Sequence, residues 1–346
     1  MKNLSRINKF LIFILAGFAL LHFGAAFLIP FLFGAFFASL MKPVCNFLES
    51  LKMNRIIASL ISTFVVFIVV GGLLFLFVFQ VEQFLSDIGS FKEQLQKLMN
   101  NIEQLINSFA NITEEEQKKF WAERSDQILD RIESLATNFF SGVLSALSGL
   151  FLILIYVFLL LLYRDRITKF IMMYISENKK ENTEYIMDKM SRVVYHYLWG
   201  RAKVMSLLGI MYYVTFLIFD LPYALLITIF GALITIIPYL GPFISGTVPI
   251  IFSFIFFDSI PKAVIFSIII IIEQLIESYV FEPWIIGREV KLNPLIVIMA
   301  IIVGGMVWGL PGMILFVPLF AIVKIISNHS NGLEPIGFLL GNSNKL

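Results

Sequence analysis

Residues 294–324 read PLIVIMAIIVGGMVWGLPGMILFVPLFAIVK, thirty-one residues with no charge before Lys324 and a break running from Gly304 to Gly312 in the middle. About 20 apolar residues cross a bilayer as one helix. A longer run interrupted at its centre by Gly304, Gly305, Gly309, Pro311 and Gly312 suits two half-helices, a re-entrant hairpin with both ends on the cytoplasmic side. Non-helical backbone at that depth is tolerated only where protein or a water-filled cavity shields it. The alternative is that the glycines merely permit close packing, as Gly305-x-x-x-Gly309 could.

Working outward, a second break of the same kind occurs at Thr235-Ile-Ile-Pro-Tyr-Leu-Gly-Pro-Phe243, where Pro238, Gly241 and Pro242 interrupt an apolar run. Long apolar stretches also occur at Phe10–Ile29, Ile56–Phe79, Phe139–Tyr163 and Ala263–Phe281, and shorter ones at Val204–Phe219, Tyr223–Ile237 and Phe243–Phe257. Of the 346 residues 59% are hydrophobic and only 14% charged, so a water-soluble fold could not cover this chain with polar surface. The expected fold is an all-α polytopic membrane protein with about eight transmembrane or re-entrant helical segments, broken C-terminal helices and a projecting helical hairpin. Two spans are expected between residues 10 and 41, split near Pro30, with the second running on toward Pro43. Paired broken segments are the best sequence pointer to a transporter's substrate path.

Charge is distributed rather than concentrated. Lys2, Arg6 and Lys9 open the chain, Lys42, Lys52 and Arg55 face Glu49 in 42–55, and 164–203 carries nine basic and five acidic residues. The segment 81–138 carries six basic and eleven acidic ones. The positive-inside rule then places the N-terminus in the cytoplasm and 81–138 outside. The chain divides as N-terminal transmembrane helices over 1–80, an extracytoplasmic helical hairpin over 81–138, a transmembrane helix over 139–163, cytoplasmic amphipathic helices over 164–203, a C-terminal bundle with the re-entrant hairpin over 204–327, and a cytoplasmic tail over 328–346.

Within 81–138, Val81, Phe84, Ile88, Phe91, Leu95, Leu98, Ile102, Leu105 and Phe109 recur at alternating spacings of three and four, a heptad seam. It predicts a helix of roughly 43 Å at 1.5 Å per residue. Asn111 and Thr113 break it, and Thr113-x-x-Glu116 is a capping box for a second helix, whose stripe Trp121, Ile128, Ile132, Leu135 and Phe139 runs into the next span. Either the hairpin is self-contained or its seam packs against the same element of neighbouring subunits.

Motifs of soluble catalysis are lacking: the sequence contains no Gly-x-x-x-x-Gly-Lys, Gly-x-Gly-x-x-Gly, His-Glu-x-x-His or Gly-x-Ser-x-Gly. The lone Cys45 cannot form a disulfide within the chain. Of His22, His196 and His329 only His22 falls in an apolar run, as a proton relay or as a packed structural group. No catalytic residue, cofactor or metal site is expected, and no nucleic-acid partner. One acidic cluster interrupts an apolar run: Glu273, Gln274 and Glu277, with Glu273 and Glu277 on one helix face. Ionisable groups at membrane depth face a cavity or a partner, so Glu277 reads as a proton- or ion-sensitive group beside Pro283, or as an ion pair with Arg288 or another basic residue. The expected path runs between Pro238, Tyr239, Gly241 and Pro242, the face of Glu273, Gln274 and Glu277, and Gly304, Gly305, Gly309 and Gly312.

Taken in order, Ile237-Pro238-Tyr239-Leu240-Gly241-Pro242, Gln274-x-x-Glu277, Pro283-x-x-x-Gly287, Leu292-x-Pro294, Gly304-Gly305 to Gly309-x-x-Gly312 and Pro318 resemble the autoinducer-2 exporter family, also called PerM-like permeases. The Lys42-Pro43 boundary and the Tyr163-Arg164-Asp165 exit match as well. Thr235 stands where the family often has Asn, and Arg201 where Gln often follows Gly200. The resemblance implies a bacterial inner-membrane protein of about eight spans, exporting the quorum signal autoinducer-2 in some members and exchanging Na⁺ or Li⁺ for protons in others. The leading expectation is a secondary transporter exporting a small polar metabolite. The alternatives are a Na⁺(Li⁺)/H⁺ antiporter using Glu277 and a non-transporting scaffold that presents the 81–138 hairpin. Expected partners are membrane lipid, a small polar solute or a monovalent cation and proton, and further copies of the chain.

Overall fold

The structure, a computed structural model, describes residues 12, 16–109, 114–286, 292–330 and 332–341. After a helical stretch over residues 16–23, eleven helices organise them: α1 (Ala25–Ser50), α2 (Arg55–Ser86), α3 (Ile88–Phe109), α4 (Glu114–Met173), α5 (Glu177–Ile218), α6 (Ala224–Ile234), α7 (Leu240–Phe256), α8 (Ile260–Ile276, continuing as a π-helix over Glu277–Ile286), α9 (Pro294–Trp308), α10 (Leu310–Asn328) and α11 (Glu334–Leu340). Among the described residues no strand occurs, and six helices are long and apolar enough to cross a bilayer, while α6, α7 and α9 are shorter apolar helices. Many large apolar side chains on the long helices are exposed, such as Phe75, Phe151 and Ile210, as a lipid-facing surface requires.

The helix expected to end near Pro30 does not. Alpha-helix α1 runs unbroken through both Pro30 and Pro43, and the break falls at Gly24, where a Cβ would lie 2.5 Å from the Leu20 carbonyl oxygen. Pro30 is buried and costs one backbone hydrogen bond without ending the helix. Contact with α4 is close at Gly34, whose missing Cβ would lie 2.5 Å from the Cβ of Tyr156. Nor does Val204–Phe219 stand alone: it is the end of the 42-residue α5, because Gly200 by itself does not stop a helix. The boundaries at 138/139 and 163/164 likewise fall inside the 60-residue α4.

One end of the bundle carries an ionic clamp. Glu49 at the end of α1 accepts from Arg164 of α4 at 2.5 Å and pairs with Arg55 of α2 at 3.3 Å, while Arg55 reaches Asp165 at 2.7 Å. The Asn54 side chain caps α2 by accepting from the Ile56 N–H. At the other end α2 gives way to α3 at Asp87, whose carboxylate accepts from the Tyr223 hydroxyl.

That contact is part of an aromatic cluster. Phe84 and Phe91 of the seam pack on Tyr223, Phe252 and Phe256 with centroids 5.1–6.3 Å apart, and Ile88, Leu95 and Leu98 lie against the same cluster. The first part of the heptad seam is therefore occupied by α7 of the same chain. The side chains of Ile102, Leu105 and Phe109, those of the Trp121–Phe139 stripe, and Asn111, Thr113 and Arg288 lie outside the described residues.

Two apolar hairpins enter from opposite ends. The α6–α7 pair opens where Tyr223 and Phe256 meet α2 and α3, and its tip residue Ile237 is buried in one cluster with Val204, Ile301 and Leu315. The α9–α10 pair opens at the other end. There the Asn293 side chain accepts from the Ile296 N–H at 2.8 Å and donates to the Leu339 carbonyl at 2.7 Å, and Ile296, Ile325 and Leu340 share a core with Val193, Val194 and Tyr197 of α5.

Candidate functional site

The two hairpins turn for different reasons, close backbone approach in the first and backbone angles in the second. In α6–α7 a Cβ on Gly241 would lie 2.2 Å from the Ile234 carbonyl oxygen. Between Pro238 and Leu240, Tyr239 adopts φ 63°, ψ −54°, a conformation that costs an L-residue of order 1–3 kcal/mol. In α9–α10 the reversal is made by Gly309 at φ 62°, ψ −139°, which glycine adopts most readily. Its two arms touch backbone to backbone, since a Cβ on Gly304 would lie 2.3 Å from the Gly312 oxygen and one on Gly312 only 1.9 Å from the Gly304 oxygen.

Beside the first tip lies a cavity of about 730 Å³, bounded by α7, α8 and the π-helical segment. Tyr239, Pro242, Thr247, Gln274, Ser278 and Glu282 put polar groups and a proline edge on its wall, and Phe243, Ile250, Ile270 and Tyr279 supply apolar surface. A concave, mostly apolar site with a few convergent polar groups suits a small ligand. The floor is shaped by Pro283, which lacks the N–H an α-helix needs; the chain runs as a π-helix around it, an irregularity frequent at functional sites.

Behind the wall is a polar layer inside the apolar bundle. Gln274 donates to the Tyr212 hydroxyl and, at 2.8 Å, to Ser245 Oγ. Thr215 Oγ1 donates to Glu273 Oε1 at 2.5 Å. One turn further along, Glu277 Oε1 lies 3.8 Å from Arg201 Nη1, with the two side chains 0% and 2% exposed. The same Nη1 reaches Glu282 Oε1 at 3.2 Å, and Glu282 is 38% exposed. Six buried polar atoms in this layer lack a hydrogen-bond partner: Tyr197 Oη, Arg201 Nε and Nη2, Glu273 Oε2, Gln274 Oε1 and Glu277 Oε1. Buried polar groups are normally satisfied, so orphans clustered beside a cavity mark a wet or ligand-contacting region.

Of the residues expected from the sequence, Pro238, Tyr239, Gly241, Pro242, Glu273, Gln274 and Glu277 come together here. Tyr239, Pro242 and Gln274 face the cavity, whereas Gly304, Gly305, Gly309 and Gly312 belong to the second hairpin and do not line it. Arg201 is the basic partner that the sequence left unnamed. Tyr212 and Thr215 were also missed, although Tyr197, Arg201, Val204, Leu208, Tyr212 and Thr215 share one buried face of α5 at spacings of three and four, a stripe visible once 177–218 is read as one helix.

Comparison with known proteins agrees with this architecture. The AI-2E family transporter description matches residues 10–332. YrrI of Bacillus subtilis (strain 168), provisionally named a transport protein, is 26% identical over 317 residues, 87% of this chain and 86% of its own. The protein named AI-2 transport protein TqsA of Escherichia coli (strain K12) is 24% identical over 337 residues, 97% of this chain and 94% of its own. YhhT of the same strain, also provisionally named for transport, is 20% identical over 331 residues, 96% and 92% of the two chains. With residues 10–332 matched by the family description and an all-helical bundle holding two apolar hairpins, the chain belongs to the AI-2E transporter family.

Proposed function

We propose that this protein is a secondary transporter of the bacterial inner membrane, N-terminus in the cytoplasm, that exports a small polar solute, autoinducer-2 being the leading substrate. The observation that carries the reading is the open cavity between the α6–α7 tip and the π-helical end of α8, polar where Gln274, Thr247, Ser278 and Glu282 meet it on the flank of the apolar bundle. Half-helix ends and hydroxyls there offer hydrogen bonds that lipid cannot supply. The name of TqsA supports autoinducer-2 as the first solute to try.

An antiporter centred on Glu277 has less support, because that carboxylate already has a buried cation, Arg201, within 3.8 Å. A scaffold displaying an open apolar seam also has less, since the seam from Phe84 to Leu98 is covered by α7.

The test is efflux from proteoliposomes loaded with autoinducer-2 or small polyols, run beside a pH-dye assay under Na⁺ and Li⁺ gradients. Efflux of a polar solute that Thr247→Trp abolishes at equal reconstitution is the expected result. Cation-driven proton movement without solute efflux would favour the antiporter, and silence in both assays would sink the transport reading.

A further inference from the structure

The polar layer holds three carboxylates and one guanidinium, and the structure distributes them unequally. Arg201 serves Glu277 at 3.8 Å and Glu282 at 3.2 Å. Glu273 is 6% exposed, forms no ion pair with any described Lys or Arg, and receives a single hydrogen bond, from Thr215. Its second oxygen, Oε2, has no partner. An isolated carboxylate in an apolar medium is so costly that such a group neutralises rather than stays ionised. What neutralises it has to be small. Hard cations take about six oxygen ligands, and among the described residues no three acidic, His or Cys side chains are grouped so as to hold a metal ion.

We propose that Glu273, positioned by Thr215, is the group that takes up and releases a proton in the transport cycle, and that Glu277 is a fixed partner of Arg201. The inference rests on the transporter reading above. Proton binding forms an O–H bond at Oε2, the proton arriving as hydronium from the aqueous phase and leaving a water molecule behind, and the Thr215 hydroxyl goes on donating to Oε1. Gln274, adjacent in sequence, lines the cavity and donates to Tyr212 of α5 and Ser245 of α7, and this side of α8 is the proposed route of the proton. The groups around Glu273 make the assignment specific. Helix α5 presents Tyr212, Thr215 and, one turn away beside Glu277, Arg201; α7 presents the neutral Ser245; the π-helical continuation presents Glu277 and Glu282.

The deciding experiment is infrared spectroscopy of the purified protein in liposomes, which needs no transported solute and so separates failure of this assignment from failure of the transport reading. At pH 7 the wild type should show a protonated-carboxyl C=O band that Glu273→Gln removes and Glu277→Gln leaves. Thr215→Val should move the band, since one hydrogen bond is lost, and Thr215→Ser should restore it. Transfer into D₂O should shift the band within the mixing time, and Gln274→Leu should slow that shift. Should Glu277→Gln fail to fold, the Glu273→Gln and Thr215 variants carry the test alone. A band that survives Glu273→Gln, no band in the wild type, or a band that never shifts in D₂O would each overturn the proposal, the last by showing a proton locked in the core.

Discussion

Replacing Gly312 by Ala adds one methyl group where the α9–α10 hairpin has no space for it. The new Cβ would start 1.9 Å from the Gly304 carbonyl oxygen, whereas carbon–oxygen contacts settle at about 3.3 Å, so the arms must part by about 1.4 Å. The obstructing atom is backbone and cannot swing aside. A gap near 1 Å forfeits at least a quarter of each dispersion contact, worth about 0.1–0.2 kcal/mol. If the side chains flanking this crossing, Ile301, Trp308 and Leu315 among them, contribute about 80–100 such pairs across it, the loss is about 2–5 kcal/mol, at or above the usual range for overpacking. Gly304→Ala, with its 2.3 Å approach, should cost nearly as much. Gly305→Ala is the internal control, because its nearest neighbour is the flexible end of Met313, which can move. Gly309→Ala meets no atom within 4 Å and should cost only the strain of its backbone angles, about 1–3 kcal/mol. Melting midpoints in one detergent, read by scanning fluorimetry, should rank Gly312→Ala below Gly304→Ala and both below Gly305→Ala. If Gly312→Ala melts with the wild type, the arms do not touch as described.

Arg201→Met strands Glu277 in the core, and losing one partner of a buried pair costs about 3–5 kcal/mol; the double variant Arg201→Met/Glu277→Gln should recover most of that in the same melting assay, and equal losses in single and double variants would refute the pairing. Leu95→Gln with Leu98→Gln should lower the melting midpoint of the single subunit, since these side chains pack against the α7 cluster; a changed oligomeric mass by light scattering with an unchanged midpoint would instead assign the seam to contacts between subunits.

Much of the architecture was legible in the chain itself, and the reading failed at particular residues for physical reasons. Pro30 looked like a break and was not, because a proline removes one backbone hydrogen bond without obliging the helix to end, and α1 packs against Tyr156 of α4 on both sides of it, at Phe27, Phe31 and Gly34. Arg201 looked like a topological charge at a membrane boundary, since nothing local distinguishes a snorkelling arginine from a buried one. The seam from Val81 to Leu98 announced a partner without saying which, because a heptad pattern specifies a face and not its occupant.

Hydropathy, charge bias and the Pro and Gly punctuation determined by themselves that the chain is a helical membrane protein with two broken hairpins, because helix formation in lipid is decided by residues close in sequence: every backbone group must be satisfied within its own segment. Which carboxylate is paired was decided only by the tertiary structure. Arg201 meets Glu282 across 81 positions of sequence and Thr215 meets Glu273 across 58, and such distances close only when α5 packs on α8. The same packing left Glu273 without a cation and opened the cavity beside Gln274, for charge compensation and empty volume belong to the assembled bundle and not to any one helix.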